Sequence, residues 1–209
     1  MKTGNDIIAG MEALARKWHA KGKPRDGLIP LPYIVHPEGV VALLESWGYS
    51  EAEDAVTLAV AWGHDLLEDV EDITESEIEA VGGKAVLEGI EMLTFKLPKN
   101  KKIFDDEYDR LKAEYIARIV GDVPPEIAVV KMADRLCNTF DFVREDRAHA
   151  AKYLKAAEAL FARLDRPNCG GFKHAENIKK THRGMWLLVG GVHLNPSKGD
   201  SPFGALWTR

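Results

Sequence analysis

The sequence predicts an all-α fold, a single helical bundle. Three observations carry this. Apolar residues recur at helical spacing in segment after segment. Start and stop signals bracket those segments. No segment alternates apolar and polar residues between turn signals as a strand would. The 209 residues contain no fixed-period repeat and no linker that would split them. The length suffices to bury a sizeable core.

The elements follow in order. Residues 4–20 place Ile7, Ile8, Met11, Leu14, Ala15 and Trp18 on one stripe, which predicts a first helix. The stretch 21–33, "KGKPRDGLIPLPY", is turn-rich, and its prolines exclude helix there. "HPEGVVALLESWG" predicts a second helix, with Pro37 in its first turn and Gly48 just past its end. "SEAEDAVTLAVAWGHDLLEDV" predicts a third, continuous through residues 52–69, with Ser50 as N-cap and Glu53 completing a capping box. Thr74 and Glu77 repeat that logic for a helix through residue 83. Further helices are expected over 84–95, 106–120, 124–143, 147–164 and 173–191. The tail 195–209, rich in Gly and Pro, is expected to be irregular.

Composition narrows the function. Apolar residues are 45% and charged residues 29%, the balance of a soluble globular protein. A net charge of −5 without a long basic block argues against nucleic acid as a partner. No run of about 18 apolar residues is present, so no membrane span is expected. The first 19 residues carry Asp6 and Glu12 and do not read as a signal peptide. Cys137 and Cys169 lack C-x-x-C spacing, and a reduced, cytoplasmic protein is the expectation.

One stretch concentrates chemistry. "GHDLLED", residues 63–69, follows the apolar run 55–62. In a continuous helix His64 shares a face with Glu68, and Asp65 with Asp69. Two other stretches behave alike. "YIVHPEGV" sets His36 at the mouth of the second helix. "AVVKMADRLCN" sets Asp134 at the end of an apolar run, with Asn138 one turn on. A buried lone aspartate is costly unless paired or bound to a metal. Two imidazoles and two carboxylates, without thiolate, suit a divalent ion such as Mn²⁺, Fe²⁺ or Zn²⁺. His19, His149, His174, His182 and His193 have no partner motif and are expected at the surface or in packing.

"PYIVHP", "HDLLEDV" and "VVKMADRLCN", in this order, resemble the HD-domain hydrolases of the RelA/SpoT type, the small stand-alone alarmone hydrolases above all. The resemblance runs from about residue 8 to about residue 165. It implies an all-helical HD domain over 1–165; residues 166–209 lie beyond the resemblance and are expected to form a helical extension and tail packed on the same domain. It implies one bound Mn²⁺ and removal of pyrophosphate from the 3′ position of guanosine tetra- and pentaphosphate. By motif, His36, His64, Asp65 and Asp134 are then the metal ligands, and Glu68 and Asp69 the acidic pair assigned to catalysis. Arg25 and Asn138 match residues near the nucleotide. Lys96 and Lys99 follow the same helix as phosphate-facing lysines in relatives. This sequence is too short to include the synthetase half of the long members.

The family often has Arg-Lys before the "PYI-HP" turn, whereas here Asp26 follows Arg25. That departure keeps the first of two alternatives open. One is an HD phosphohydrolase acting on another nucleotide, an adenine alarmone or the 2′-phosphate of NADPH. The other is a non-catalytic nucleotide-binding module, against which an intact Glu68–Asp69 pair speaks. Oligomeric state is not legible. Cys137 stands where many members have His, and it is read as packing.

Overall fold

The computed structural model describes residues 2–22, 24–25, 31–97 and 105–190. Lys99, Asp26, His193 and the tail 195–209 lie outside the described residues. Among those described the regular structure is helical, with one isolated antiparallel bridge between Arg25 and Leu31. The helices are α1 (Gly4–His19), α2 (Val35–Trp47), α3 (Ala55–Gly63), α4 (Leu66–Asp69), α5 (Glu75–Gly82), α6 (Lys84–Leu93), α7 (Asp105–Gly121), α8 (Pro125–Val143), α9 (Arg147–Ala156), α10 (Glu158–Phe161) and α11 (Ala175–Leu188). Two 3₁₀ turns, Ala162–Asp165 and Pro167–Gly171, precede α11.

Helix α3 is the axis of the fold. Its residues Thr57 to Gly63 are all buried, as a helix apolar on every side requires. Around it pack α1, α2, α6 and α8. Small residues set the spacing. A Cβ on Gly63 would lie 2.6 Å from both Ile90 Cδ1 and Met11 Cε, and one on Gly89 would lie 2.6 Å from Val60 Cγ2. Hydrogen at those positions lets α1 and α6 close onto α3. The large side chains fully buried here include Met11, Leu44, Trp47, Leu58 and Leu136. Each such burial contributes about 1.5–3 kcal/mol. Helix α11 packs against α8; Trp47 Nε1 donates to Thr181 Oγ1 (2.9 Å) and Asn177 Nδ2 to the Trp47 carbonyl (2.8 Å).

Several local expectations hold. Thr74 and Glu77 form the capping box of α5. Gly48 ends α2 in the left-handed region (φ 111°), where glycine carries no Cβ penalty. Pro37 sits in the first turn of α2.

Three expectations are corrected. The third helix is not continuous: α3 stops at Gly63, and α4 restarts at Leu66. The His64 ring explains the break. Its Nδ1 lies 2.8 Å from the Ala61 carbonyl, the acceptor that a continuous helix would offer to the Asp65 N–H. Ser50 does not cap α3, and Glu53 closes no box. The N-cap is Asp54, Ser50 N donates to Asp54 Oδ2 (3.2 Å), and Glu53 pairs with Lys173 (3.4 Å). The helix expected over 147–164 divides at Ala157 and tightens to 3₁₀ at Ala162. There Arg163 turns inward and donates to the carbonyls of Ile119 (2.8 Å) and Val123 (2.9 Å), which lie at and beyond the last turn of α7.

Candidate metal centre

The break after α3 positions the site. His64 and Asp65 sit at the α3–α4 junction, His36 enters from the first turn of α2, and Asp134 comes from the middle of α8. His36 and His64 present Nε2 to one another at 3.3 Å. Asp65 Oδ2 lies 3.4 Å from His36 Nε2 and 3.2 Å from His64 Nε2. Asp134 Oδ1 lies 3.1 Å from His36 Nε2 and 3.9 Å from His64 Nε2. All four side chains are buried. Helix packing thus brings together the four residues that the sequence singled out from three separate stretches.

The donor set fits a divalent cation. One donor atom each from His36, His64 and Asp65 lie within 4.8 Å of one another, and Asp134 adds a second carboxylate. The Ala61 carbonyl can only accept, so His64 Nδ1 carries a proton and Nε2 is the nitrogen turned to the cluster, where a metal can take its lone pair in place of a second proton. Histidines that bind metals are oriented in this way. Four nitrogen and oxygen donors without sulfur match borderline-to-hard ions.

The electrostatics agree. Burial disfavours charge on His64, but Asp65 and Asp134 outweigh it and push its pKa up to about 10. Burial would raise the Asp65 carboxyl, yet His64 and His36 hold it below the ordinary carboxylate range. Asp134 is lowered against burial chiefly by Lys131. The two carboxylates thus attract positive charge to this point, and a metal competes with the proton for the same lone pairs.

Neighbouring residues brace the cluster, and sequence reasoning missed three of them. The Lys131 ammonium, buried, lies 2.8 Å from Asp134 Oδ2. A lysine inside the apolar run of "AVVKMAD" was the available signal, because an unpaired buried lysine is rare. Tyr33 donates its hydroxyl to Asp65 Oδ2 (2.8 Å); only its place beside the "PYIVHP" turn hinted at this. His19, expected at the surface or in packing, is buried and stacks on Tyr33 with centroids 4.6 Å apart. Burial, aided by the nearby His64 and His36, lowers its pKa to about 4, so it is neutral at pH 7. No motif in the sequence links it to the site.

The remaining predicted residues spread around the cluster. Asn138 donates its amide to Asp134 Oδ1 (2.5 Å) and accepts from Arg25 Nη2 (2.6 Å). Glu68 does not stack over His64 through helical spacing, because the helix is broken. Its Oε1 accepts instead from the Phe95 N–H (2.6 Å), just beyond α6. The residue reaches solvent, but partial burial of the carboxyl raises its pKa above the ordinary value, against Lys131 and the Phe95 N–H. Asp69 is raised likewise by burial and by the Asp65 charge. Lys96 follows Phe95 and pairs with Glu75 (3.4 Å) and Glu91 (3.5 Å). Cys137 is partly buried, and that burial pushes its thiol up to about 12, which suits packing. Among the other described histidines, His182 is buried and stacks on Phe161 at 3.9 Å, His174 packs edge-on to Tyr49 and His149 edge-on to Phe142.

No protein-family model matches the chain, and no curated protein does. Among solved structures, the chain is similar to a metazoan ortholog of SpoT, which hydrolyzes ppGpp and plays a role in starvation responses. The TM-score is 0.64 at 18% identity, over 87% of this chain and 94% of that one. The architecture expected from the sequence motifs is therefore the one found: this chain has the all-helical fold of that SpoT ortholog.

Proposed function

We propose that the protein is a divalent-metal-dependent hydrolase that removes pyrophosphate from the 3′ position of guanosine tetra- and pentaphosphate. The observation that carries this reading is the convergence of His36, His64, Asp65 and Asp134 at the end of α3. Support comes from the fold, shared with a SpoT ortholog that hydrolyzes ppGpp.

In this reading those four side chains hold the ion, Mn²⁺ first, with Fe²⁺ and Zn²⁺ also suited to the donors. The bound ion acidifies water and offsets phosphate charge. Glu68 takes the proton as water attacks the phosphorus attached to the 3′ oxygen. Its raised pKa brings it nearer to the working pH of a general base. The bond from that phosphorus to the 3′ oxygen breaks, the 3′ hydroxyl regains a proton, and pyrophosphate leaves. Asp69 supports Glu68 from the same short helix. Arg25 and Asn138 hold the nucleotide, and Lys96 meets phosphate by releasing Glu75 and Glu91. Lys99 is assigned the same role from the motif alone.

The test is product analysis with a nucleotide panel under Mn²⁺ and under a chelator. The expected result is pyrophosphate and guanosine 5′-diphosphate from the tetraphosphate, abolished by chelation. Phosphate released from NADPH would replace this substrate assignment, as would faster turnover of the adenosine alarmone. Binding without turnover would leave a nucleotide-binding module.

A further inference from the structure

Helix α8 carries Asp134, Asn138 and Asp141 at i, i+4 and i+7, which is one stripe of a helix. Asn138 bridges Asp134 and Arg25, and Arg25 Nη2 continues to Asp141 Oδ2 at 2.9 Å. The chain of contacts runs unbroken from the metal cluster to Asp141. Seven residues at 1.5 Å per residue place Asp141 about 10 Å along the axis from Asp134, far enough to lie past a ribose whose 3′ substituent is at the cluster. The Asp141 side chain is 44% exposed and Arg25 only 16%. Asp141 therefore keeps room to meet a ligand, while Arg25 is largely enclosed.

Asp141 also lines a cavity of about 470 Å³ beside this stripe, whose wall includes His36 but not Arg25, Asn138 or the other three cluster residues. Its other walls include Gly39, Leu43, Phe140 and Met185. A mostly apolar cavity with a few directed polar groups suits a flat organic group, and Phe140 offers a ring for stacking. The cavity is a poor place for phosphate, since its wall holds a carboxylate and no lysine or arginine. What meets Asp141 must present N–H donors and apolar faces. Guanine presents N1–H and N2–H side by side, a match for two carboxylate oxygens. Adenine presents one donor beside the N1 lone pair, which a carboxylate repels.

We propose that Asp141 is the residue that selects guanine over adenine, by accepting N1–H and N2–H of the base on its carboxylate. This rests on the nucleotide reading above and adds a determinant to it. Arg25 holds the carboxylate in place and takes part of its charge, so that the base is met by an oriented acceptor.

The experiment compares wild type with Asp141→Asn. Asparagine keeps the shape but offers one acceptor and one donor, the pattern adenine requires. Two readouts are taken: kcat/KM for the guanosine and adenosine alarmones under Mn²⁺, and Kd for GDP and ADP by calorimetry. The expected result is a fall of about 10–100-fold in the guanosine-to-adenosine ratio, the worth of one bidentate base contact. Arg25→Ala removes the partner that orients Asp141 as well as a nucleotide contact, so it should weaken binding of both ligands and lower the ratio by less than Asp141→Asn does. A ratio that does not move in Asp141→Asn overturns the proposal, even if both activities fall, because Asp141 then only positions Arg25. Wild type that prefers the adenosine ligand overturns it as well. If nothing is turned over yet the Kd ratio shifts as stated, the hydrolase reading fails and the base assignment stands.

Discussion

Lys131 and Asp134 form an ion pair inside the protein, Nζ to Oδ2 at 2.8 Å, with side chains 9% and 3% exposed. They lie three residues apart on α8, so helix geometry imposes the contact. The pair divides the work of the carboxylate: Oδ2 faces the lysine, while Oδ1 faces His36 and the Asn138 amide. Removing one partner of a buried pair leaves an uncompensated charge, at about 3–5 kcal/mol. Lys131→Met should therefore lower the unfolding free energy of metal-free protein by that order, measured in urea. Loss under 1 kcal/mol would show that water or a rearranged neighbour already compensates Asp134.

Asp65→Ala should abolish hydrolysis and lower bound metal in the purified protein. The motive is that Asp65 Oδ2 contacts both imidazole nitrogens of the cluster. Plasma emission reads the stoichiometry directly. Full metal content in the variant would remove Asp65 from the site.

Glu68→Gln should keep metal content and substrate affinity while the rate falls by about 10²–10⁴, the range for a positioned general base. The sign of the pH effect follows from the raised pKa. A base works ionised, so activity is present above the folded-state pKa and is lost as pH falls through it. That loss should begin at higher pH than an ordinary glutamate would give, and the glutamine variant should lose this acidic limb. Metal loss from the variant would make Glu68 a ligand, and a near-normal kcat would make it a bystander.

Arg25→Ala should raise KM for the nucleotide more than it lowers kcat. Arg25 contacts Asn138 and Asp141 and none of the four cluster side chains, so its contribution should be felt equally in ground and transition states. Unchanged KM with kcat down a hundredfold would contradict that role.

Periodicity and caps determined the helical class, because each depends on residues a few positions apart. The Thr74–Glu77 box and the Gly48 stop are of this kind. The three motifs likewise named His36, His64, Asp65 and Asp134, because each stands at the polar end of an apolar run where an unpaired charge would be costly. The tertiary structure decided what depends on distant chain. It broke the third helix, because in the packed core the His64 ring takes the Ala61 carbonyl and turns Nε2 towards His36. It moved Glu68 from a place over His64 to the N–H of Phe95, which reaches it from the end of α6. It also set His19 behind Tyr33 and joined Arg25 to Asn138 across 113 positions of sequence. Local sequence fixes which side chains sit on one helix face, but only the packing of α1, α2, α6 and α8 around α3 fixes which faces meet.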